Sequence, residues 1–109
     1  MITLIHGNDS LSSRKYFLDQ KDEESLTFDA ESLILSEFEQ SLAGSGLFGS
    51  SKKIFIENLF SRKSAKNLDA IGKLLTSNQD QNVYIWADKE VGVKALTTFP
   101  KIENKVFKI

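Results

Sequence analysis

The 109-residue chain contains no cysteine, one histidine, one proline and one tryptophan, and each scarcity closes off chemistry. Without cysteine there is no disulfide, no thiol nucleophile, no thiolate zinc site and no iron–sulfur ligation, a composition that suits a reducing cytoplasm. A single histidine, His6, excludes a multi-histidine metal centre, and no metal or other cofactor is expected. Apolar runs are short, as in Leu33-Ile34-Leu35, far from the ~20 residues that span a bilayer, so no membrane association is expected. The amino terminus has neither a basic region nor a long apolar core and does not read as a secretory signal. Nothing resembling a Pro/Gly/Ser linker or a repeat divides the chain, and a length of 109 residues suits one hydrophobic core. One domain over residues 1–109 is expected.

What is present is a strong internal charge asymmetry on a nearly neutral chain of net charge −1. Residues 1–50 carry three basic and nine acidic side chains, net −6, and residues 51–109 carry eleven and six, net +5. Solvated helix faces account for such a distribution, and a free-standing nucleic-acid binder would be more basic overall.

Hydrophobic periodicity alternates between two and three to four residues along the chain. Ile2-Thr3-Leu4-Ile5-His6 reads as a strand that stops at the turn and N-cap residues Gly7-Asn8-Asp9-Ser10. A helix is expected from Ser10 to about Gln20, with Leu11, Tyr16 or Phe17, and Leu18 recurring at a weak helical spacing. A short strand follows over residues 25–29. The clearest helical stripe is Ile34, Phe38 and Leu42 within residues 31–42, ended by Gly44-Ser45-Gly46. Residues 53–57 read as a third strand, Ala65, Leu68, Ile71 and Leu75 mark a third helix, and residues 82–87 form the most apolar strand. A short helix within residues 89–98, around Val93 and Leu96 and broken by Pro100, then leads to a fifth strand over residues 105–109. Strands alternating with helices predict an α/β fold: three layers, a mostly parallel five-stranded sheet, helices on both faces. Ligands of such sheets sit beyond the carboxyl ends of the strands, which directs attention to residues 7–13, to Glu57 and Asn58, and to Asp88.

A strand, a glycine turn and a helix form the setting of a phosphate loop, but the residues depart from G-x-x-x-x-G-K-[ST]. The stretch Gly7-Asn8-Asp9-Ser10-Leu11-Ser12-Ser13-Arg14-Lys15 lacks the second glycine and the spaced lysine, and Asp9 puts negative charge where phosphates would lie. Glu57 closes the third strand where a phosphate-loop ATPase carries its metal-binding carboxylate, with no lysine or hydroxyl opposite. Gly7, Asn8, Asp9, Arg14, Lys15 and Glu57 thus mark a degenerate nucleotide site, and no catalytic residues are expected. Trp86 reads as core, and His6 as a strand-end histidine rather than a general base.

The loop Gly44-Ser45-Gly46-Leu47-Phe48-Gly49-Ser50-Ser51 carries two bulky apolar residues among small ones. Leu47 and Phe48 either fold under the sheet or project as an anchor pair for a partner. Here the chain resembles the amino-terminal domain of the delta subunit of bacterial DNA polymerase III, the clamp-opening subunit of the clamp loader. The resemblance lies in Leu4-Ile5-His6-Gly7-Asn8-Asp9, then Gly46-Leu47-Phe48-Gly49, then Lys52-Lys53-Ile54-Phe55-Ile56-Glu57-Asn58, and finally Tyr84-Ile85-Trp86-Ala87-Asp88-Lys89, in that order. It implies an AAA+-like core, related to phosphate-loop NTPases but lacking a functional nucleotide site. Leu47 and Phe48 would then insert into a hydrophobic cleft of the ring-shaped sliding clamp, with Ser45 and Gly46 shaping the loop. Gly46 stands where that family more often has serine. The family continues into a lid and a collar domain that are absent from this chain, so contacts with other loader subunits would need those domains and DNA would be met only indirectly. Three alternatives compete with this reading. One is a divergent phosphate-loop ATPase or nucleotide-binding domain using residues 7–15 and Glu57. Another is a scaffold with Leu47 and Phe48 buried. The third is a nucleic-acid surface built on Lys52, Lys53, Arg62, Lys63 and Lys66.

Overall fold

The computed structural model describes residues 2–44, 53–77, 82–92 and 102–109. The elements are β1 (Ile2–His6), α1 (Ser10–Asp19), β2 (Leu26–Asp29), α2 (Leu35–Gly44), β3 (Lys53–Glu57), a 3-10 turn (Arg62–Ser64), α3 (Ala65–Ser77), β4 (Asn82–Trp86) and β5 (Ile102–Val106). The five strands form one sheet in the order β2-β3-β4-β1-β5, and all four pairings are parallel. The chain is therefore an α/β protein.

Strand order dictates where the helices go. From β1 the chain travels across the sheet to the far edge at β2, then steps back through β3 to β4. Because parallel crossovers are right-handed, opposite directions of travel put α1 on one face and α2 with α3 on the other. The buried side chains agree. On one face Leu4, Ile54, Ile56, Val83 and Ile85 meet Phe38 and Leu42 of α2 and Ile71 and Leu75 of α3. On the other, Ile5 and Phe55 meet Phe17 of α1, with Tyr84 and Trp86 packed against them. Neighbouring residues of one strand enter different cores, as the two-residue period of a strand requires. Burial on both faces explains the nearly continuous apolar character of β1, β3 and β4.

Several boundaries differ from the sequence expectation. The fifth strand is Ile102–Val106, not residues 105–109, because Ile102 pairs with Ile2 and packs against the larger core, whereas Phe107 to Ile109 leave the sheet to cross the end of β1. Helix α2 starts at Leu35, not Glu31, because Asp29 closes a turn first: its carboxylate accepts from the Glu31 N–H at 3.0 Å and its carbonyl from the Ser32 N–H at 3.1 Å. Ile34, expected in the stripe, consequently lies outside the helix and is 56% exposed, while Phe38 and Leu42 are buried. In α1 only Phe17 of the expected apolar set is buried, and Leu11 is 84% exposed. Of the short helix expected after β4, residues 89–92 are not helical, and the remainder, with Val93 and Leu96, lies outside the described residues. Residues 45–52, hence Ser45, Gly46, Leu47, Phe48 and Lys52, also lie outside them.

Candidate functional site

β1 and β4 are neighbours whose outgoing connections run in opposite directions, towards β2 and towards β5. Ligands of open α/β sheets settle beyond the carboxyl ends of such a pair. Here the protein fills that place itself. After β4, the Ala87 N–H donates to the Ile5 carbonyl at 3.0 Å, and the Val91 N–H donates to Nδ1 of His6 at 2.9 Å. The tail after β5 arrives from the other side. Its Phe107 N–H donates to the His6 carbonyl at 2.8 Å, and its Ile109 N–H to the Asn8 side chain at 2.9 Å.

Each position expected to mark a degenerate nucleotide site has a partner within the protein. Gly7 has φ 130°, where the backbone of Phe107 passes so close that a Cβ would lie 1.9 Å from its carbonyl oxygen. The Asp9 N–H, which a phosphate loop would turn to its ligand, donates to that same oxygen at 3.1 Å. The Asp9 carboxylate caps α1 by accepting from the Ser12 N–H at 3.2 Å, and the Asp9 carbonyl accepts from Ser13 at 3.1 Å. Arg14 forms an ion pair and hydrogen bond with Glu57 and lies over the Trp86 ring, 4.7 Å from its centroid. Trp86 is held in turn by its Nε1–H donating to Ser13 Oγ at 3.0 Å, which makes it a bridge between α1 and the sheet rather than an inert core residue. Lys15 points away and pairs with Asp19 at 3.5 Å on the exposed side of α1. The structure thus joins Gly7, Asn8 and Asp9 to the carboxy-terminal tail, joins Arg14 to Glu57, and leaves Lys15 apart.

The contact between Arg14 and Glu57 is the feature that sequence reasoning missed. Sequence order places them 43 residues apart, and the only advance signal was that both were expected at the carboxyl-end side of the sheet, Arg14 in the helix after β1 and Glu57 at the end of β3, two strands that β4 separates. A cleft of about 640 Å3 opens between the segment after β3 and the segment after β4, with Phe60, Arg62, Trp86, Asp88 and Lys89 among its walls. Its rim includes Asn58, which has φ 63° and anchors the turn: its side chain donates to Asp29 Oδ1 at 3.1 Å and its carbonyl accepts from Ser64 Oγ at 2.6 Å. Among the described residues no group of three His, Asp or Glu side chains is placed to hold a metal ion, and no helix is long and apolar enough to cross a membrane. Of the basic residues considered for nucleic acid, Lys53 is engaged by the Gln20 carbonyl at 3.0 Å and Asp22 at 3.7 Å. Arg62, Lys63 and Lys66 are exposed and form no ion pair with other described residues.

The cap gives a first prediction. Asp9→Ala removes a side-chain acceptor from the α1 amino terminus and is expected to lower stability by about 1 kcal/mol, seen as a fall of roughly 4–8 °C in the thermal midpoint by circular dichroism. An unchanged midpoint would mean that solvent caps α1 equally well.

Comparison with known proteins adds no identification: no family model matches the chain, and no curated protein matches it.

Proposed function

We propose that the chain is a non-catalytic interaction domain that binds a bacterial sliding clamp through Leu47 and Phe48, in the manner implied by its resemblance to the clamp-opening subunit. The observation that carries the non-catalytic half is the engagement of residues 7–13, Arg14 and Glu57 by the protein's own tail, cap and ion pair. Groups that would receive a nucleotide are holding the fold. The strand order supports an AAA+-like core in preference to the two common doubly wound arrangements, in which β1 lies beside β2. In this sheet β1 lies between β4 and β5, three positions from β2.

The partner-binding half rests on the Gly46-Leu47-Phe48-Gly49 words and on the elements they connect. β3 begins, at Lys53, at the amino-terminal edge of the sheet, opposite the carboxyl ends of β1 and β4. A partner engaged at that edge has no need of a working phosphate site. Clamp opening then follows from differential affinity, since the domain can open a ring only by as much as it binds the open form better.

The test is calorimetric binding of the chain to the sliding clamp of its own organism, native and with Leu47→Ala and Phe48→Ala combined. The double variant is expected to stay folded and to lose on the order of 2 kcal/mol or more, about thirtyfold in affinity. Absence of binding by the native chain, or equal binding by both, would overturn the reading and return attention to ATP binding at residues 7–15.

A further inference from the structure

His6 ends β1 and is only 3% exposed, yet both of its ring nitrogens are used. Nδ1 accepts from the Val91 backbone N–H at 2.9 Å. An amide N–H can only donate, so Nδ1 is unprotonated and the ring hydrogen resides on Nε2, which lies 3.2 Å from Asn104 Oδ1 and donates to it. The neutral imidazole therefore fastens three pieces of chain: β1, β5 and the segment that follows β4. Val91 also packs against the larger core, and residues 88–92 form one wall of the cleft of about 640 Å3.

We propose that His6 is a proton-operated clip, in which the neutral ring holds residues 88–92 over the end of β1 and the protonated ring releases them and opens the adjoining cleft. A second ring proton occupies the lone pair that receives the Val91 N–H, so two donors face each other where one bond existed. The new charge also lies in a site shielded from water, where a cation needs a partner. Most charged groups on the surrounding elements are already committed. On β5, Glu103 and Lys105 pair at 3.4 Å. After β4, Glu90 pairs with Lys108 of the tail at 3.3 Å, while Asp88 and Lys89 form no ion pair with other described residues. In the turn after β1, the Asp9 carboxylate caps α1. The only partners of the ring are Val91 and Asn104 among the described residues, so neither a carboxylate nor an ammonium group replaces the lost bond.

The test reads the ring and two amides of the native chain by NMR across a pH titration. Imidazole nitrogen shifts are expected to show the Nε2–H form at high pH. As His6 gains its proton, the hydrogen-exchange protection factor of the Val91 amide is expected to fall at least tenfold, while the Ala87 amide, bonded to the Ile5 carbonyl, keeps its protection. His6→Asn keeps an acceptor near the Nδ1 position without titrating, and its Val91 protection should not vary with pH. Constant Val91 protection through the titration, loss of both amides together, or a ring proton on Nδ1 would each overturn the clip. Should the variant not fold, the two amides of the native chain decide alone.

Discussion

Gly7→Ala is expected to destabilise the domain by about 2–6 kcal/mol, from two additive causes. The first is conformational: at φ 130° an alanine is held in a region that side-chain-bearing residues rarely adopt, at a cost of about 1–3 kcal/mol. The second is steric. A Cβ would meet the Phe107 carbonyl oxygen at 1.9 Å and its carbon and nitrogen at 2.7 Å, and these are backbone atoms that cannot rotate away. They are fixed by the Phe107 N–H to the His6 carbonyl and by the Asp9 N–H to the Phe107 carbonyl, and the Phe107 ring packs 5.5 Å from Tyr16. A domain of this size has a total stability of roughly 5–15 kcal/mol, so the variant should lie near the unfolding threshold. Urea unfolding would show a lower midpoint at unchanged slope. The two causes separate in a cycle: removing residues 107–109 abolishes the clash and leaves the conformational cost, so Gly7→Ala should cost less in the shortened chain. Equal costs in both chains would show that the tail yields without penalty.

Gly7 also shows where sequence reasoning reaches its end. A glycine after the first strand, followed by an N-cap and a helix, reads as part of a phosphate loop, and the local structure is as read. What the sequence could not reveal is that the close approach requiring glycine comes from the chain's own residue 107, a hundred positions away. Long-range neighbours of that kind are set by strand order, which periodicity does not encode. The central strands were legible for a physical reason: β1, β3 and β4 are buried or half-buried on both faces, so their apolar runs are nearly continuous. β5 was misplaced because only Ile102 and Val106 of its five residues are apolar, and Phe107 with Ile109 offered a stronger alternation nearby. α2 was begun too early because Ile34 fits the helical stripe by spacing, while Asp29 and Ser32 spend their hydrogen bonds on a turn. At the candidate site the positions were legible and their employment was not: Arg14, Asp9 and Glu57 were singled out, but their partners are each other and the backbone.

That employment has a functional corollary. Removing a residue that has a structural duty costs stability whether or not a ligand ever binds beside it. Asp9, Gly7 and Arg14 all have such duties here. Mutational sensitivity at these positions is accordingly no sign of catalysis, and binding assays rather than stability distinguish the readings.

Phe17→Ala is the second change with a large expected effect, because the face of the sheet covered by α1 depends on this one ring. α1 has a weak helical stripe, and Phe17 is its only fully buried apolar side chain. It stands edge-on to Phe55 at 5.3 Å between ring centroids, with Trp86 at 6.3 Å and the Lys21 ammonium 5.4 Å above it. Truncation removes that apolar surface and leaves a cavity that rigid strands on the far side cannot fill, so a loss of about 3–5 kcal/mol is expected. The consequence should be directional. The larger core formed by α2 and α3 does not contain Phe17, whereas Ser13 and Arg14, which hold Trp86, are carried on the destabilised helix. Because Trp86 is the only tryptophan, its fluorescence should shift to the red in the variant under native conditions, before the far-ultraviolet signal of the remaining helices is lost. Leu11→Ala on the outer side of α1 is the control and should change stability by less than about 0.5 kcal/mol, as expected for an exposed site. Coincident loss of tryptophan and far-ultraviolet signals in Phe17→Ala would show instead that the two faces of the sheet unfold as one unit, and a loss below about 1 kcal/mol would show that the capped turn and the Arg14–Glu57 pair, not the aromatic core, hold α1 in place.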